Sequence, residues 1–114
     1  MTHSKEIDCF VGQVLGGYQV DNWGNCKWTR PGDDKTFFFM PSQSWDDAIT
    51  AACKSRLWKA WRIERTENDR YRFSALILED NAWSSSLEYD DLPKAICEMF
   101  YNCRGRKMPE YKSV

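Results

Sequence analysis

The side chains with the most chemical reach in this 114-residue chain are five cysteines, Cys9, Cys26, Cys53, Cys97 and Cys103, and a single histidine, His3. A cysteine nucleophile needs a neighbouring base, usually histidine, to take its proton. His3 is the sole candidate and stands near a chain end, so a small cysteine-dependent enzyme is a poor reading. Zinc needs ligands clustered at short spacings, and no Cys-x-x-Cys occurs. An odd number of scattered cysteines reads as reduced thiols rather than a disulfide framework. Asp46 and Asp47 follow Ser44, where a serine and carboxylates cap a helix start; capping accounts for them without acid–base or magnesium chemistry. Gly32-Asp33 lacks the spaced oxygen ligands of a calcium loop. These residues call for no metal, no cofactor and no enzymatic activity.

A second set of residues points to binding. The segment from Leu57 to Glu79 carries Trp58, Lys59, Trp61, Arg62, Arg65, Arg70 and Arg72. Rings that stack bases and arginines that hold phosphates are the ingredients of a nucleotide surface. Trp83 joins them, in a polar stretch beside three serines. The candidate ligand-binding residues are therefore Trp83, Trp58, Arg62, Arg70 and Arg72. The competing reading is a solvated hairpin with cross-strand ion pairs through Glu64 and Glu67. The formal net charge of −1 lacks the basic excess of nucleic-acid binders.

The elements that position these residues are legible in part. Thr2 or Ser4 can cap a first helix to about Leu15, with Ile7, Phe10, Val11 and Val14 on the core side and Cys9 and Gln13 facing out. Gly16-Gly17 ends it. Tyr18 to Thr29 reads as strand, turn and strand, followed by the loop 30–35 and a strand at 36–40. Ser44 opens a second helix with a buried stripe of Trp45, Ala48, Ile49, Ala52 and Cys53. Two strands, 57–66 and 70–79, flank a turn at 67–69. The stretch 80–91 is a long polar connection in which an edge strand has a place. Asp91 caps a third helix whose Leu92, Ile96, Met99, Phe100 and Cys103 align; Arg104-Gly105 closes it.

The strand from Tyr71 is apolar on both faces toward its end, and the run Thr36-Phe-Phe-Phe-Met40 has the same character. Such strands read as buried between two layers. The expected class is α/β of the α+β type: a three-layer α/β/α sandwich on a largely antiparallel sheet, with a two-layer α+β fold as the alternative. One domain, residues 1–105, is followed by a short mobile tail, 106–114. No apolar run approaches a membrane span and the first residues lack a signal region.

Gly17-Tyr18, the run from Trp28 to Gly32, the run from Phe39 to Ala48 and the run from Leu92 to Cys97 together resemble small bacteriophage accessory proteins of the phage "ABA sandwich" type. The resemblance implies a phage or prophage product in the cytoplasm of a bacterial host. It implies a non-enzymatic protein that counters host defence, by sequestering a cyclic nucleotide or by blocking a host defence protein. A phage structural or assembly protein without ligand is the alternative. Oligomeric state stays open, homo-oligomer included.

Overall fold

The computed structural model describes residues 3–111. Its elements run α1 (His3–Leu15), β1 (Gln19–Val20), β2 (Cys26–Thr29), β3 (Thr36–Phe38), α2 (Trp45–Lys54), β4 (Trp58–Arg65), β5 (Tyr71–Ile77), β6 (Ala82–Ser85) and α3 (Leu92–Cys103). The α+β class read from the sequence is what forms. The single sheet is not: the strands make two antiparallel sheets, β1-β2-β3 and β4-β5-β6. Each strand pairs only with its neighbour in sequence, because hairpin connections are short and α2 separates the two sets. Among these residues no helix is long and apolar enough to cross a membrane.

Helix α3 is the piece the others pack on. Asp91 caps it, its Oδ1 accepting from Lys94 N at 3.1 Å, and Pro93 sits in the first turn. Leu92, Ala95, Ile96, Cys97, Met99 and Phe100 are all essentially inaccessible. An apolar surface this wide belongs to a helix covered on several sides. β5 covers one side and α1 and α2 another, while α1 also packs on β1 and β2. The approach of α1 to β2 depends on Gly12, where an added Cβ would lie 2.6 Å from Cys26 Sγ.

Several burial expectations are corrected. β5 buries Phe73, Ala75 and Ile77 toward the helices, but Leu76 on its other face is only half-buried, opposite exposed Trp83. The 36–40 strand is not buried: β3 is exposed throughout, Phe38 at 56 %, and only Phe39 enters the core. As an edge strand of a small sheet it has a paired neighbour on one side only. In α2 the buried face is Ala48, Ala51 and Ala52, while Trp45 and Cys53 are exposed. The smallest side chains allow the closest approach to α3, and that turns the larger ones outward. Ser44 Oγ accepts from Asp47 N at 3.2 Å as expected, but Asp47 Oδ2 accepts from Met40 N at 2.9 Å.

Cys9 is likewise inside rather than exposed: it is 8 % accessible and its thiol donates to Gly24 O at 3.2 Å. All five cysteines are free thiols. Ser4 lies within α1; Thr2 and residues 112–114 lie outside the described residues. The expected start of a free tail, 106–111, is docked. The Arg106 guanidinium lies 5.1 Å from the Phe10 ring, and Tyr111 OH donates to Ser42 O at 2.6 Å.

Candidate ligand-binding groove

The five residues singled out by type do not converge. Trp58 is 4 % exposed, edge-on to Phe73 and Phe100 at 5.5 and 4.9 Å, with Nε1 donating to Ala52 O at 3.1 Å. It is a core residue with its polar atom satisfied. Cross-strand register does bring Arg62, Arg72 and Trp83 to one face of the second sheet. There they engage residues of that same face or its rim. Arg62 lies over the Trp83 ring at 4.9 Å; Arg72 reaches Glu88 at 3.3 Å and Glu64 at 3.9 Å. Of the two carboxylates expected to pair across the hairpin, Glu64 does so, Glu67 has no ion pair among the described residues, and Glu88 from the connection after β6 supplies the other partner. Arg70 stands apart, in a cleft of about 340 Å³ with Tyr89, Asp90, Lys94 and Tyr111.

A more open arrangement of rings and cations lies between the first sheet and α2. Antiparallel pairing sets Trp28 opposite Phe37, their rings 5.8 Å apart. Residues two apart on a strand share a face, so Arg30 follows Trp28 and lies 4.9 Å over Phe37. Tyr18, just before β1, stacks on Phe39 at 4.2 Å. From α2, Asp47, Thr50 and Lys54 project at helical spacing onto the same side. Together they bound a groove of about 430 Å³. Lys54 Nζ stands 5.4 Å from the Trp28 ring and 5.7 Å from the Tyr18 ring, and donates to Tyr18 OH at 3.4 Å.

The charges in and beside this groove are unequal in availability. The Asp47 carboxylate is engaged by the Met40 N–H, which donates to Oδ2. Lys27, on the opposite face of β2 from Trp28, is bridged at 3.0 Å by Asp21. Burial acts to raise the Asp21 carboxyl, but hydrogen bonds from Asn25, Lys27 and Trp23 hold it well below the usual carboxylate range. Lys27 is therefore neutralised while Lys54 has no carboxylate partner among the described residues. Rings with such a cation can hold a planar anion between stacking and charge. No three His, Cys, Asp or Glu side chains among the described residues gather to hold a metal ion.

Sequence reasoning missed this groove, though traces of it were present. The alternation of Trp28 with Arg30 and the spacing of Asp47, Thr50 and Lys54 are visible in the chain; that they face one another is not. No family model, curated protein or solved structure matches the chain.

Proposed function

We propose that this chain is a non-enzymatic binding protein that takes a planar anionic ligand of nucleotide chemistry in the groove between β1-β2-β3 and α2. The observation that carries the reading is Lys54 held over Trp28 and Tyr18 at the edge of an open aromatic wall. A base stacks on the rings and a phosphate meets the ammonium. In the setting implied by the resemblance to phage accessory proteins, the ligand is a cyclic signalling nucleotide of the bacterial host, and sequestering it counters host defence. Blocking a defence protein is the second reading, favoured by the exposure of Trp23, at 72 %, between β1 and β2 and of Phe38 on β3.

Calorimetry with a panel of cyclic di- and trinucleotides tests the first reading. It expects saturable 1:1 binding, and release of unchanged nucleotide when the protein is heat-denatured. Trp28→Ala should weaken binding by about 1–3 kcal/mol, roughly ten- to hundredfold. Trp83→Ala should leave it unaltered, since that ring lies on the other sheet. Absence of binding at high micromolar nucleotide sinks this reading. A single dominant host protein captured by the tagged chain would then support the second.

A further inference from the structure

The groove does not end at Lys54. Past the Trp28 and Tyr18 rings it continues into a depression of about 310 Å³ that shares Tyr18, Trp28 and Lys54 with it and adds the Gly16-Gly17 turn and Arg56. A third recess, of about 170 Å³, shares Lys54 and Arg56 and adds Arg104. The three recesses adjoin through these shared residues and are taken together as a trough, with its rings at one end and Lys54, Arg56 and Arg104 toward the other, beside Val14, Leu15 and Leu57. Its floor at the turn is open because Gly16 and Gly17, at φ +81° and +83°, carry no side chain there. Beyond Arg56 and Arg104 the next recess brings in Glu79, which bounds the cationic stretch.

Three elements supply the cations: Lys54 ends α2, Arg56 lies in the connection to β4, and Arg104 caps α3. Cations suit helix C-termini, which accounts for two of these positions. It does not account for their lack of carboxylate partners. Lys27, Arg30, Arg62, Arg65, Arg72 and Lys94 are each bridged by an acid. Lys54, Arg56 and Arg104 have no such bridge among the described residues; Lys35, Lys59, Arg70, Arg106 and Lys107 have none either, and what sets the first three apart is that they line adjoining recesses.

We infer that the ligand of this trough carries at least two phosphates, the first at Lys54 beside the stacked base and the second at Arg56 and Arg104. This rests on the groove reading and narrows it. A nucleoside monophosphate fills only the aromatic end; a nucleoside triphosphate or a cyclic dinucleotide reaches the arginines, whose planar forks donate to phosphate oxygens in pairs.

Calorimetry of the full chain with adenine and guanine monophosphates, the matching triphosphates and cyclic dinucleotides tests it. One multiphosphate class should bind roughly tenfold or more tighter than its monophosphate, since it adds charge-assisted hydrogen bonds that the monophosphate cannot make. The class that gains tells whether the phosphates are adjacent or spaced. Arg56→Ala should collapse that preference toward unity, Arg56→Lys should restore part of it, and an unchanged urea midpoint would show that the fold is intact. Equal affinity for mono- and multiphosphates, or a preference that survives Arg56→Ala in a folded protein, overturns the second phosphate and leaves the groove reading standing. If no probe binds at high micromolar concentration, both fall together.

Discussion

The thiol of Cys97 sits wholly inside the core, where burial pushes its pKa well above the ordinary thiol range. Cys26 is also buried and is pushed up to about 12 by burial, then by Cys9, Asp8 and Asp47. Cys103 is half-buried, its pKa raised by burial, while Cys53 faces solvent on the outer side of α2. Alkylation goes through the exposed thiolate. Brief treatment of the folded protein with iodoacetamide should therefore modify Cys53 first, Cys103 more slowly and Cys97 last, as read by peptide mass spectrometry. This reverses the order in which Cys9 would lead and Cys53 would lag. Modification of Cys97 ahead of Cys53 would contradict the placement of α3.

At the scale of elements, the two faces of β5 differ in what covers them. Phe73 is inaccessible, against Trp58 at 5.5 Å and Trp61 at 5.7 Å. Leu76, three residues on, faces the side where Trp83 and the Arg72–Glu88 pair meet water. On this face the strand therefore tolerates charge at Arg72 and Leu76, while Ser74 between them is buried against Ser85. Phe73→Asp loses a large buried ring and strands a carboxylate, which costs several kcal/mol against a total of about 5–15 kcal/mol. It should not fold cooperatively. Leu76→Asp keeps its carboxylate near solvent and should cost about 1–2 kcal/mol. Urea denaturation of both variants checks this; equal loss would mean that the second face of the sheet is also core.

Across the whole molecule, the two ends of the described chain meet at one turn. Asp8 Oδ1 of α1 accepts from Ser42 N at 2.8 Å, Ser42 Oγ donates to Ser4 O at 3.3 Å, and Tyr111 OH donates to Ser42 O. His3 Nδ1 lies 2.8 Å from Glu110 O. Burial raises the Asp8 carboxyl from 3.8 to about 6; the Ser42 hydrogen bonds oppose the rise and Asp47 adds to it. A raised carboxyl pKa means that the folded chain holds this proton more tightly than the unfolded one. The resulting stability is fully present below pH 3.8 and is lost as pH rises through 6, a loss on the order of 3 kcal/mol. Asp8→Asn removes the titration while keeping an oxygen for Ser42 N–H. The difference in urea midpoint between wild type and this variant should grow in the variant's favour as pH rises from about 4 through 6 and level off above that. A pH-independent difference would mean that Asp8 titrates alike in both states.

The chain's own residues determined the helices, the hairpins and the α+β class, because those signals act over a few positions. Ser44 and Asp91 accept from the N–H three residues on, and glycine at Gly16 and Gly17 supplies the positive φ that ends α1. Only the tertiary structure decided which aromatics are inside. Trp58 looked like a ligand platform among its cations and is a core wedge; Phe37 and Phe38 looked like core and are exposed. Residue type sets how favourable burial is, but the element that packs on a given face sets whether burial occurs. The same holds for the site. Tyr18, Trp28, Phe37 and Lys54 meet because α2 passes beside β2 and β3, and no local pattern records where two elements distant in sequence come to lie.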